Sequence, residues 1–197
     1  MREIVSDVAF SPSVKSVQQR RGSRDAYARM EQKAGWSDRI TPELAAFIAE
    51  RDSFYLGTAS AGGQPYIQHR GGPKGFLRVL DDRTLGLADY RGNRQYITTG
   101  NLAENERAFL FLMDYANRRR VKIWARARVV EDDPALLELL TPTDVKTRPE
   151  QAILFTLGAW DVNCPQHISR RFTEDEVEQL FAPLRRRIAE LEARLGS

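Results

Sequence analysis

The chain has 197 residues, of which 42% are hydrophobic, 29% charged and 9% aromatic, with a formal charge of +3. This composition excludes a disordered chain, a collagen-like repeat and a disulfide scaffold. A single cysteine forms no internal bridge, no apolar run approaches the roughly 20 residues of a membrane helix, and the opening MREIVSDVAFSPSV lacks the apolar stretch of a secretory signal, so a cytoplasmic protein without a membrane partner is expected.

Residues 11–22 show no clear period and hold Pro12 and Gly22, which reads as an extended arm. Ser23 or Asp25 can cap a short helix through Lys33, ended by Gly35. Thr41-Pro42 is a helix start, and Leu44, Phe47 and Ile48 form its apolar stripe. Strands follow at short spacing: 53–60, 64–70, 75–80 and 84–90, with Gly62-Gly63 and Asp81-Asp82-Arg83 as turns. Residues 91–94 break the sheet, and 94–107 hold a helix or irregular turns. AFLFLMDY (108–115) reads as a central strand. In 121–130 Val121, Ile123, Ala125, Ala127 and Val129 share one face, while Lys122, Trp124, Arg126 and Arg128 share the other. Asp133-Pro134 starts a short helix, 153–162 is the last strand, and Thr173 with Glu176 is a capping box for a helix that runs to Leu195. Pro183 is expected to kink or restart that helix. Its stripe of Leu184, Ile188, Leu191 and Leu195 suits packing on the chain's own barrel or on a second subunit.

About seven strands joined mostly by turns argue for a mainly β fold with peripheral helices, an antiparallel barrel rather than a doubly wound sheet. One domain is expected over residues 1–197, with an N-terminal helical arm (1–51) and a C-terminal helix (173–195). Charge is unevenly spread: residues 62–128 carry +7 and residues 129–197 carry −5. Arginine outnumbers lysine 25 to 5, and its planar fork suits phosphate and carboxylate. A basic middle with Trp124 between Lys122 and Arg126 also raises a nucleic-acid surface, but a strand face covered by a partner subunit is the expected explanation and no nucleic-acid partner is expected.

Three segments could carry chemistry. Arg91-Gly92-Asn93-Arg94-Gln95 follows a strand and offers a close backbone approach, an amide and a charged fork, as an anion site needs. Gln68-His69-Arg70 ends a strand before Gly71-Gly72, where bare backbone lets a flat ligand or another chain segment come close. Asn163-Cys164-Pro165-Gln166-His167 follows the last strand, and can be a nucleophile and base or a ligand-lining loop. With two histidines and one cysteine in the chain, no metal site is expected.

Taken together these segments resemble the FMN-binding split-barrel family of pyridoxamine 5'-phosphate oxidase relatives. The match runs through Gly63-Gln64-Pro65-Tyr66, Gln68-His69-Arg70, Leu87-Ala88-Asp89, Gly92-Asn93-Arg94-Gln95, Glu104-Asn105-Glu106-Arg107, AFLFLMDY and RRRVKIWARARVV. The ending WDVNCPQHISRRF resembles a subgroup of predicted flavin-nucleotide-binding proteins. The resemblance implies an antiparallel split β-barrel, FMN at a homodimer interface, and oxidoreductase chemistry on a small molecule. It places Gln68, His69, Arg70 and Gly71 along the flavin, Ala88 and Asp89 beside it, Asn93, Arg94 and Gln95 at its phosphate, and Arg120 as a contribution from the second subunit. Trp160 matches the cofactor region loosely, and Asn163, His167 and Arg171 fall where substrate would bind. Gln95 stands where the oxidase has lysine, Gln68 where it has arginine, and the oxidase's C-terminal Arg-x-His segment is absent. Oxidation of pyridoxamine phosphate itself is therefore not expected. The alternative is a flavin- or haem-binding protein without turnover.

Overall fold

A computed structural model describes residues 4–33, 35–143, 145–162 and 165–195. The chain divides into two compact units, Met1–Met113 with Arg120–Asn163 and Asp114–Arg119 with Cys164–Ser197. Among the described residues no helix is long and apolar enough to cross a membrane.

The first unit opens with a 3-10 turn, Val5–Val8, and three helices: α1 (Pro12–Arg20), α2 (Arg24–Lys33) and α3 (Pro42–Ala49). The expected extended arm at 11–22 is thus wrong. Ser11 caps α1, its hydroxyl oxygen accepting the Val14 N–H at 3.3 Å, and Pro12 takes a first-turn position where its missing N–H costs nothing. Gly35, at φ +61°, follows α2 in the left-handed conformation. Thr41 caps α3 as expected, and Leu44, Phe47 and Ile48 turn its buried face to the sheet.

Seven strands form one sheet in the order β2-β1-β5-β6-β7-β4-β3. They are β1 (Ser53–Ala59), β2 (Pro65–Gly71), β3 (Leu77–Val79), β4 (Thr84–Asp89), β5 (Arg107–Asp114), β6 (Arg119–Val130) and β7 (Gln151–Val162). The pairings of β1 with β2 and β5, of β3 with β4, and of β7 with β4 and β6 are antiparallel. The sheet is mainly β in the sense expected, with α4 (Ile97–Glu104) and α5 (Pro134–Leu140) in its crossovers.

Alternation decides the core. Phe54 and Leu56 of β1, Leu110 and Leu112 of β5, Val121 and Ile123 of β6, and Ile153, Phe155 and Leu157 of β7 are all at most 2% exposed, and they face inward with α3. On the outer face the arm folds back over β6. The Trp36 ring stacks on Trp124 at 4.7 Å, and Phe10 lies 5.0 Å from Trp36. Lys122 lies over both indoles and pairs with Asp161 at 2.8 Å.

In the second unit, Asp114 accepts the Asn117 backbone N–H at 3.0 Å and closes the β5–β6 hairpin. Its long helix, α6 (Glu174–Leu195), carries the expected capping box: Thr173 N–H donates to Glu176, and Glu176 N–H donates to the Thr173 hydroxyl. α6 runs unbroken through Pro183 instead of restarting there. A proline inside a helix removes one donor but need not end the helix when the turns on both sides are formed.

Candidate functional site

The end of β2, the end of β4, the turn 91–96, the start of α4 and the start of β7 enclose a cleft of about 270 Å³. Its geometry follows from strand register. Gln68 and Arg70 alternate with His69, so they share the inner face of β2 with the partners Leu56 and Phe54. Asp89 lies opposite Gln151 where β4 meets β7, so the last strand delivers an amide to the carboxylate. Gln151 Nε2 donates to Asp89 Oδ2 at 2.8 Å and to Thr99 Oγ1 at 2.9 Å.

Arg70 Nη2 sits 2.9 Å from Asp89 Oδ1, and both side chains are 13% exposed. The approach is close but poorly aligned: among the described residues neither Nη2 nor Nε of Arg70 finds a hydrogen-bond acceptor. A half-buried guanidinium with an unspent donor at Nε is costly, and an anionic or carbonyl-bearing ligand relieves it. The Thr98 hydroxyl donates to Gln68 Oε1 at 2.7 Å, which fixes the amide and leaves its NH2 group as a donor.

Across the cleft, Asn93 Oδ1 accepts the Gln95 N–H at 3.3 Å, tightening the turn. Arg94 and Tyr96 adopt φ of 62° and 53°, and Tyr96 is the residue from which α4 starts. The Tyr96 hydroxyl donates to Glu150 Oε1 at 3.0 Å, tying the turn to β7. Arg94 is exposed and lines the cleft, while Arg91 is exposed in the same turn. Among the lining residues Arg70 and Arg94 stand against Asp89 and Glu150, so their formal charges balance.

Of the residues singled out from sequence, Gln68, Arg70, Asp89, Asn93, Arg94 and Gln95 line this one cleft. His69 stands on the opposite face of β2, its ring 5.6 Å from that of Tyr55. Gly71 ends β2, where an added Cβ would come within 3.2 Å of the His69 ring. At Gly72 an added Cβ would meet the Phe76 ring at 2.8 Å, so the bare backbone there admits a core aromatic and not a ligand. Ala88 is buried in a small cluster with Leu137, Leu140 and Ala152. Arg120 alternates onto the outer face of β6 with Lys122, and its Nε has no acceptor among the described residues. Trp160 is nine residues along β7 from Gln151, and its indole N–H donates to Arg39 O at 2.8 Å, fastening the loop before α3.

In the second unit His167 is exposed at φ 62°, and the Arg171 guanidinium lies over the Tyr115 ring at 4.9 Å. Asn163 and Cys164 lie outside the described residues. Sequence reading missed Thr98, Thr99, Glu150 and Gln151. The first two follow from asking which residues open the helix after the phosphate-like turn. The last two needed knowledge that β7 lies beside β4.

Comparison with known structures matches this architecture. The HupZ protein of Group A Streptococcus superposes with a TM-score of 0.53 at 17% identity, covering 68% of this chain and 99% of that one. An FMN-binding protein from Syntrophomonas wolfei superposes with a TM-score of 0.50 at 13% identity, covering 77% and 97%. The shared fold is the antiparallel split barrel. No functionally curated protein matches the chain. The family model described as pyridoxamine 5'-phosphate oxidase matches residues 40–164, which takes in every strand and the whole cleft, and the chain belongs to that family.

Proposed function

We propose that this protein binds FMN in the cleft between β2, β4 and α4, and acts as a cytoplasmic, homodimeric oxidoreductase on a small molecule other than pyridoxamine phosphate. The observation that carries the reading is Arg70, its side chain 13% exposed, with Nη2 ion-paired to Asp89 and Nε without an acceptor among the described residues. Flavin presents carbonyl oxygens and ring nitrogens as acceptors, and the Gln68 amide and Arg70 supply donors at one end of the cleft. Asn93, Arg94 and the turn's backbone supply the phosphate end, where a guanidinium fork suits a dianion. FMN would supply the electron-transfer chemistry, and the protein's part is to bind, orient and set the local charge.

Size supports a shared site. A cleft of about 270 Å³ falls below the range of roughly 300–1,000 Å³ usual for small-molecule sites. FMN would overrun it, and a second protomer is the proposed cover. His69 and Arg120, which stand outside the cleft, are then residues offered to that second protomer.

Purified protein should be yellow, with flavin absorption bleached by dithionite, and apoprotein should regain the spectrum on titration with FMN. Colourless protein that takes up no added FMN overturns the reading. A Soret band on titration with haemin, without flavin uptake, would replace it with the haem-binding alternative.

A further inference from the structure

α6 carries apolar side chains at Val177, Phe181, Leu184, Ile188, Leu191 and Leu195, in alternating steps of four and three residues. All six are exposed, from 37% at Val177 to 88% at Leu195, and no residue of the helix is buried. That spacing is a heptad seam: Val177, Leu184 and Leu191 take its d positions, and Phe181, Ile188 and Leu195 its a positions. Pro183 falls at c, away from the seam, so its ring does not obstruct a partner.

The flanking charges choose the partner and its direction. In a parallel, in-register pair each g residue faces the e residue of the next heptad on the other helix. Arg187 (g) then meets Glu192 (e) twice across the two-fold axis. An antiparallel pair can also match all six seam residues, but it sets Arg185 against Arg185, Arg187 against Arg187 and Glu178 against Glu192. Every charged flanking pair is attractive in the first arrangement and repulsive in the second. Leucine at the central d positions with Ile188 at a favours two strands. In the single chain these side chains make substitute bonds along one helix, Arg187 to Glu190 at 2.9 Å and Arg185 to Glu178 at 2.7 Å. We propose that α6 pairs with the α6 of a second copy as a parallel, in-register two-stranded coiled coil. Such a pair has its two-fold along the coil and closes on itself as a dimer. The pairing does not depend on what the cleft binds.

The test uses the full chain carrying Cys164→Ser, so that an added cysteine is the only thiol. A parallel, in-register pair brings the two copies of position 191 together. Leu191→Cys alone should therefore give covalent dimer on mild oxidation, at low protein concentration. Adding Arg187→Glu should slow cross-linking roughly tenfold, and Glu192→Arg on top should restore it, with helix content by circular dichroism unchanged throughout. Absence of covalent dimer, indifference to the charge swaps, or cross-linking only when Phe181→Cys accompanies Leu191→Cys would each overturn the proposal.

Discussion

Arg94 holds a φ of 62°, a region that costs a non-glycine residue about 1–2 kcal/mol. A chain selected only for stability would place glycine or asparagine there. The side chain must therefore return something, and the proposed return is a charged fork on the FMN phosphate. Arg94→Gly separates the two roles. Its thermal midpoint should stay level or rise, because the strain is removed, while FMN affinity measured by flavin fluorescence should fall at least tenfold, since charge-assisted bonds contribute about 1.5–3 kcal/mol. Unchanged affinity would remove Arg94 from the site. Arg70 poses the complementary case, a group held by folding and not by strain. Arg70→Met should lower FMN affinity by about tenfold or more, and should also destabilise the fold by leaving Asp89 short of its counter-charge. Adding Asp89→Asn should recover much of the stability and none of the affinity. Recovery of both in a melt and a titration would mean that Arg70 serves the fold alone.

At the scale of elements, a comparison of α1 with α3 shows what the sequence could disclose. Both begin with a hydroxyl residue before proline, and Ser11 and Thr41 cap them with the same 3.3 Å bond. α3 was legible because Leu44, Phe47 and Ile48 are buried and so had to be apolar. α1 leaves Val14 and Val17 exposed and buries only Gln18, so its period is faint and the capping signal stood alone. The cleft divides in the same way. Gln68, Arg70, Asp89 and the 93–95 turn sit at strand ends marked by local signals. Gln151 reaches Asp89 only through the long-range register of β4 with β7, which no local pattern encodes. The β3–β4 turn gives a prediction of its own. Asp81 Oδ1 accepts the Arg83 N–H at 2.7 Å, and that bond first, then the Thr84 hydroxyl, holds its carboxyl below the usual aspartate range. A depressed folded value means that the ionised carboxylate stabilises the turn above the unfolded pKa of about 3.9, and that this support is lost as pH falls through the folded value. Asp81→Ala should therefore be less stable than the parent at pH 6, with the gap narrowing below pH ~3.5. A gap independent of pH in denaturant melts would show that the carboxylate's charge is irrelevant.

For the molecule as a whole, the basic middle of the sequence reads differently once folded. Lys74 faces Glu50, Arg83 faces Asp38 and Lys122 faces Asp161, carboxylates from outside residues 62–128, so part of that segment's +7 is answered near in space. Trp124, which had suggested a stacking platform for bases, is stacked on the chain's own Trp36. The outer face that stays open lies at the other edge of the sheet, where Ile67 is 69% exposed and Tyr55 37%, beside His69 and the half-buried Phe111. Exposed apolar surface on a sheet edge is a common site of association, and it is the surface that the proposed second protomer would cover to complete the FMN cleft. Ile67→Glu tests this connection, because position 67 points away from the cleft while its neighbours Tyr66 and Gln68 line it. At 69% exposure the substitution should leave the melting temperature of the protomer nearly unchanged. If the second protomer supplies part of the site, FMN affinity should fall about tenfold and become dependent on protein concentration, since ligand and subunit binding are then linked. Mass alone would not read this interface, because paired α6 helices could hold two copies together without it; flavin affinity does. Wild-type affinity in Ile67→Glu, flat across protein concentration, would mean that one protomer holds the whole site.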